Sequence, residues 1–372
     1  MDNPETGTPQ QLDPARVAAA FDHLRGEVDS GFLPAVSATV YHRGSRVAAF
    51  HGGHCDPQTR ARPVREDTQF LIASLTKPVV CAAAMLLVEE GRFSLDEPVC
   101  LYVPEFTGQG KEDTLIRHLL THTSGLPDQL PEGTELRRRQ ASRAEFVRAV
   151  CACTPLFPPG RGIRYQSMGI LMLAEIMERV TGEAVANILL ERLLRPLGMG
   201  RSVLGMPPAG VEATALVLPP SFEPGSPDYG ADWNTEYWRS FGSPWGGLHS
   251  TADDLGAFLH HMLGLGPGPL STATRRAMRR CQTDLIPDIP EAERRAQRWG
   301  LGWMLGSRLF GSLVSRETFG HVGATGTLFW ADPATGLATV LLTTQPRICR
   351  DATRPVRDVY GRYSNAIAAA VL

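Results

Sequence analysis

The chain has 372 residues, 43% of them apolar and 20% charged, which is ordinary globular usage with room for one large domain or two smaller ones. Its net charge of −2, without a basic run or a basic-aromatic stripe, argues against nucleic acid and against an anionic membrane as partners. Seven cysteines, an odd number in a long chain, argue against a disulfide framework.

The opening MDNPETGTPQQLDP has neither a basic nor an apolar region, so it does not read as a secretory signal. The longest strongly apolar stretch, Val79 to Val88, is far short of the roughly 20 residues a membrane span needs. A soluble, cytoplasmic protein is expected. Residues 13–30 read as a surface helix: Asp13 caps it, Pro14 opens it, Val17, Phe21, Leu24 and Val28 share a face, and Gly31 ends it. SATVYHRGSRVAAF (37–50) reads as a hairpin turning at Arg43-Gly44. His51, His54 and Cys55 in HGGHC lie close together, but the glycines read as a turn. A loop is expected there rather than a metal site.

From Ser74 to about residue 200 the pattern is mainly helical. Pro78–Glu90 is closed by Gly91, Thr114–Leu120 runs into THTSGLP, and Ser167–Val180 is closed by Gly182. Cys151 and Cys153 form a single C-x-C pair, too little for zinc. Residues 206–230 are rich in proline and glycine and read as a long surface loop, part of a pocket rim. STADDLGAFLHHM (250–262) is a helix in which Thr251 and Asp254 resemble a capping box. Strand signals return in WGLGWML (299–305), GTLFWAD (326–332) and LATVLLTT (337–344), the last two joined by the turn PATG. Arg354–Leu372 reads as an amphipathic helix carrying Val356, Val359, Tyr360, Tyr363 and Ile367. The fold class is α+β: one antiparallel sheet drawn from both chain ends, residues 1–73 and 241–372, with a helical insertion at 74–240.

The chemistry concentrates in FLIASLTKP (70–78). Ser74 and Lys77 are three residues apart, hence on one helix face. A serine hydroxyl needs a base, and a desolvated amine can serve where arginine cannot, because arginine does not deprotonate. Only two of the 37 basic residues are lysines, Lys77 and Lys111, so a merely structural cation at position 77 would be expected to be arginine. Helix N-terminal N–H groups favour the negative charge of acyl transfer. By itself S-x-x-K is a weak motif, equally readable as a capping serine and a solvated lysine.

In order along the chain, FLIASLTKP, LLTHTSGLP (119–127), Tyr165 in RYQSMGILMLAEIMERVTG, GGLHSTADDL (246–255), WGLGW (299–303) and FGHVGATGT (319–327) resemble the serine β-lactamases of class C, the D-alanyl-D-alanine carboxypeptidases and the related carboxylesterases. The resemblance implies a Ser74 acyl-enzyme, with Lys77 and Tyr165 sharing the base and acid roles. A nearby lysine ammonium is expected to lower the pKa of Tyr165. It also places His321, Val322 and Gly323 at the K-T-G position, and makes the N–H groups of Ser74 and Ala324 an oxyanion hole, with Gly323 letting substrate lie against the strand. No metal and no organic cofactor is implied. His122 is expected to be structural, His249 has no assigned role although it could line the pocket, and Trp245 and Trp330 fit core or rim as well as ligand platforms.

Two residues depart from the family pattern. Ser167 stands where Y-x-N has asparagine, and His321 where K-T-G has lysine. A histidine is largely neutral at pH 7 and suits a substrate carboxylate less than an ammonium does. Both changes favour an esterase or a small-molecule transacylase over a β-lactamase or D-aminopeptidase. A non-catalytic scaffold would be expected to have lost one of Ser74, Lys77, Tyr165 and Gly323. The expected partner is a small acyl substrate.

Overall fold

The turn at Arg43 and Gly44 closes the first hairpin with both residues at positive φ, 49° and 90°, the backbone that matches the twist of a two-residue hairpin loop. The structure, a computed structural model, describes residues 11–220, 232–347 and 355–372. Within them lie ten strands: β1 (Ala35–His42), β2 (Ser45–Gly53), β3 (Gln69–Leu71), β4 (Val203–Leu204), β5 (Thr214–Ala215), β6 (Leu248–Ser250), β7 (Met304–Leu305), β8 (Phe319–Val322), β9 (Leu328–Asp332) and β10 (Leu337–Thr343). Six of them form one antiparallel sheet in the order β2-β1-β10-β9-β8-β7. The N-terminal hairpin therefore docks on the last strand, Thr39 opposite Val340, and the α+β class follows.

The strands inside the edge strand β2 are buried on both faces, and the period of two sorts their side chains. Along β10, Leu337 and Leu341 join the cluster formed with the helices Pro14–Asp29 and Val356–Ala368, while Ala338, Val340 and Leu342 face the other core. Thr339 lies on the helix-pair side, within 2.7 Å of the Tyr363 hydroxyl. Trp330 is core, its indole N–H donating to Ser364 Oγ at 2.9 Å. The same alternation along β8 puts Val322 with the helix pair, and Phe319 and His321 toward the helical part of the chain.

At the centre of that part stands the helix Thr76–Glu89, buried at every position from Thr76 to Leu87. A helix apolar all round needs neighbours on every side, here among others the helix Met168–Thr181 and the successive helical turns Val185–Leu189 and Leu190–Leu194. Residues 74–240 are not purely helical. β4 and β5 come from this stretch and pair with β6 and β3 in a second sheet, order β4-β6-β3-β5. Thr214 and Ala215 thus lie in a strand inside the stretch 206–230 that reads as loop, and residues 221–231 lie outside the described residues, as do 1–10 and 348–354.

Other expectations are corrected. His51, Gly52 and Gly53 continue β2 rather than turning, with His51 Nδ1 3.0 Å from Ser37 Oγ across the pair. WGLGWML keeps only Met304–Leu305 as strand, with an isolated bridge from Trp299 to Met304. Thr251 does cap its helix, but the Asp254 carboxylate turns away to accept from Arg201 N and Ser202 Oγ. His249 is packed behind β6 with Nε2 2.5 Å from the buried Arg239 guanidinium, away from the cavity.

Candidate active site

β3 delivers the chain into a short 3₁₀ turn, Ala73–Leu75, which runs directly into the helix Thr76–Glu89. Ala73 has φ +48°, a left-handed conformation that strains an L-residue by roughly 1–2 kcal/mol and that collects at functional sites. The strained turn holds Ser74 at the helix N-terminus, half-buried on the wall of a cavity of about 820 Å³.

Lys77 is 1% exposed. Its Nζ stands 2.9 Å from Ser74 Oγ and donates to the Trp245 carbonyl at 3.0 Å. Burial brings its pKa down to about 8, against a smaller opposing pull from the Asp128 charge. With one N–H committed to Trp245, the neutral amine can turn its lone pair to the Ser74 hydroxyl, as a general base requires. The other lysine, Lys111, is also buried, and donates to the Cys153 carbonyl at 2.8 Å. Scarcity of lysine therefore does not by itself mark a base; the contact with Ser74 does.

Tyr165 reaches the same point. Lys77 Nζ sits over its ring, 4.7 Å from the centroid, and its hydroxyl is buried beside Ser74, close enough to feel the serine hydroxyl but outside full hydrogen-bond geometry with any described residue. The expected lowering of its pKa is reversed. Burial pushes the phenol up, the Asp128 charge adds to this, and the Ser74 hydroxyl offsets only part. Desolvation outweighs the cation because the ammonium faces the ring and is itself easily deprotonated. Tyr165 is thus a neutral phenol, able to pass a proton but not to begin as phenolate.

The ring is packed between histidines. His122, at φ +61°, lies 4.8 Å from Tyr165 and 4.2 Å from Trp299, and its Nδ1 accepts from Gln166 N at 3.2 Å. His321 is fully buried on β8, with Nδ1 2.8 Å from its neighbour's carbonyl, Val322 O. A carbonyl only accepts, so Nδ1 carries the proton and Nε2 is left as a lone pair, unpartnered among the described residues. Burial, helped by the charge on Lys77, drives the His321 pKa down to about 3. The K-T-G position therefore holds a neutral acceptor.

Beyond β8 the backbone closes on the nucleophile. A Cβ on Gly323 would stand 2.0 Å from Thr327 Oγ1 and 2.6 Å from Ile72 O; no side chain fits. Ala324 and Ser74 both line the cavity, and neither amide donates to another protein group among the described residues. Thr325 and Thr327 tie this turn to the nucleophile strand, donating at 2.8 Å to Leu71 O and Ile72 O. Thr327→Val would leave the Ile72 carbonyl only the longer bond from Leu75 N, at 3.3 Å. It is expected to lower stability by about 1–2 kcal/mol, and to lower kcat/KM for an activated ester about tenfold by loosening the two amides. Denaturant unfolding and steady-state kinetics on the one variant check both.

The family profile described as Beta-lactamase matches residues 19–358. This chain belongs to the Beta-lactamase family. It is 29% identical to esterase EstB of Burkholderia gladioli over 394 aligned positions, covering 90% of this chain and 94% of that one. Its fold superposes on a family VIII carboxylesterase with TM-score 0.77 at 22% identity, covering 97% and 99% of the two chains. It also superposes on EstCE1, a hydrolase with promiscuous acyltransferase activity, with TM-score 0.76 at 21% identity and 95% and 98% coverage. Both the β-lactamase/transpeptidase-like fold and the serine-hydrolase class are those expected from the sequence.

As a Beta-lactamase family chain it brings Ser74, Lys77, Tyr165, His321, Gly323 and Ala324 to one place, but several contributors were not read from the sequence. The Trp245 contribution is its backbone carbonyl, which no side-chain pattern reveals. The Ser167 hydroxyl makes no capping bond to the helix Met168–Thr181 and donates instead to Asp128 Oδ1 at 2.5 Å. Asp128 directly follows the motif LLTHTSGLP, a signal that was available. Gln166, buried, ties the same loop to the helix Ile116–Leu120 through the carbonyls of His118 and Leu119. Among the described residues no helix is long and apolar enough to cross a membrane.

Proposed function

We propose that the protein hydrolyses carboxylic esters of small molecules through an acyl-enzyme on Ser74. The observation that carries this reading is the buried Lys77 amine, 2.9 Å from Ser74 Oγ, with its pKa drawn down to about 8. Neutral Lys77 takes the Ser74 proton as Oγ attacks the ester carbonyl. The N–H groups of Ser74 and Ala324 receive the oxyanion, each such donor being worth about 3 kcal/mol of transition-state stabilisation. The ester C–O bond then breaks, and the alcohol leaves with a proton returned by Lys77 directly or through the Tyr165 hydroxyl. Water, deprotonated by the same groups, releases the acid and restores Ser74. EstB, a relative along most of the chain, is named an esterase, which supports this choice of substrate.

Transfer of the acyl group to an alcohol or amine is the second reading. It is favoured by the likeness to EstCE1, a hydrolase with promiscuous acyltransferase activity, and by the aromatic wall of Trp233, Tyr237, Trp238 and Trp245, which would shield an acyl-enzyme from water. A neutral His321 speaks against efficient handling of β-lactam carboxylates. Six cysteines among the described residues are free thiols, which suits a reducing, cytoplasmic setting.

The experiment is intact-protein mass spectrometry during turnover of p-nitrophenyl acetate and butyrate, with Ser74→Ala alongside. The expected result is an acyl adduct on the wild type alone, discharged faster when an alcohol acceptor is added if transfer is the native reaction. Turnover undiminished in Ser74→Ala would sink the proposal.

A further inference from the structure

Among the described residues Asp128 is a carboxylate without a paired cation. It is half-buried and lines the active cavity; Oδ1 accepts from Ser167 Oγ at 2.5 Å, and no guanidinium or ammonium lies within ion-pair distance of it among the described residues. A half-buried carboxylate at a cavity wall, bonded on one oxygen only, can take a charge-assisted hydrogen bond from a cationic group of the ligand. Asp128 shares the cavity wall with Ser74 and Tyr165, and its charge acts on both Lys77 and Tyr165. Building on the serine-ester reading above, we propose that the substrate carries a positively charged amine, received by Asp128 next to the ester.

Two further features agree. His321, whose ring lies 5.9 Å from Tyr165, presents a lone pair rather than a proton, so the groups flanking Ser74 on two elements both call for a donor on the substrate. The aromatic wall can hold the body of such a molecule and favour its charge through ring faces. Bound there, an ammonium would also cancel the Asp128 field that holds the Lys77 proton in place, so the correct substrate would free its own base. The cavity has arginines too. Arg138 is paired with Glu135, and Arg137 donates to Gln129 at 3.0 Å. Arg347, where the chain leaves β10, remains the residue by which a carboxylate would compete.

The test is calorimetric titration of Ser74→Ala protein with 4-phenylbutylamine, 4-phenylbutanol and 4-phenylbutyrate at pH 7, repeated in Ser74→Ala/Asp128→Asn. The amine is expected to bind about tenfold or more tightly than the alcohol, with the difference lost in the double variant. Ser74→Ala/Ser167→Ala, which only frees the carboxylate from its holder, should reduce the preference and provides a second reading should the asparagine variant not fold. An amine no tighter than the alcohol, or a carboxylate tighter than both, overturns the proposal. Binding is read without turnover. A wild type that forms no acyl adduct would remove the ester reading and leave this result standing; the reverse pattern would leave the ester reading and remove this one.

Discussion

Lys77→Arg is expected to lower kcat/KM for a p-nitrophenyl ester by about 10²–10⁴-fold, the usual contribution of a general base. Size and charge are nearly kept, but a guanidinium cannot give up its proton. The wild-type pH profile carries the matching signature. Lys77 must be neutral to accept from Ser74 Oγ, and burial puts its pKa at about 8, so kcat/KM should rise with pH up to about 8 and level off above. Below that point each pH unit removes about tenfold of the neutral amine. Tyr165 contributes no limb in this range, because burial holds its phenol protonated well beyond it; Tyr165→Phe should lower the rate without moving the midpoint. Rates measured between pH 6 and 9 on the three proteins decide the matter. A flat wild-type profile, or an arginine variant within tenfold of wild type, would remove Lys77 from the role of base.

Much of this site was legible because its chemistry is local in sequence. Ser74 and Lys77 share one helical turn, and glycine and proline stops bounded the helices on either side. The sheet was legible from both chain ends for a similar reason: β1, β2, β9 and β10 are long enough to show their period. The short strands were not. β4 and β5 have two residues each, too few for any periodicity, and they exist because β3 and β6 offer them backbone partners. The electrostatics were misread where burial decides. The sequence places a lysine near Tyr165 but does not show the phenol hydroxyl cut off from water, and desolvation reverses the sign of its pKa shift. Lys111 is the companion case: lysine rarity pointed equally to both residues, and only tertiary contacts separate the base from the one bonded to Cys153 O. The pairing of Ser167 with Asp128 spans 39 positions, so the meaning of the missing asparagine could not be read from either residue alone.

A site built this way should destabilise its own fold, and Lys77→Met is expected to show it by being inactive yet more stable. The pKa of Lys77 falls from 10.5 in the open chain to about 8 in the folded protein. Between those values the unfolded chain binds the extra proton, so stability rises with pH across that window, and below about 8 the full penalty is present. By linkage that penalty is about 3 kcal/mol at pH 7. Methionine fits the same slot without a charge, but gives up the contacts with Ser74 Oγ and the Trp245 carbonyl, at roughly 1 kcal/mol each. A net gain of about 1 kcal/mol should remain, a rise of roughly 2–4 °C in Tm. Lys77→Arg should go the other way, because a buried guanidinium cannot shed its charge. Thermal unfolding of the wild type and both variants at pH 7 and pH 10 separates the terms. At pH 10 the lysine folds mostly neutral at little cost, so the advantage of methionine should vanish or reverse. A methionine variant less stable than wild type at pH 7, or a difference that does not change with pH, would mean that Lys77 is not held against its own charge and that the strain at this site lies elsewhere, at Ala73 and His122.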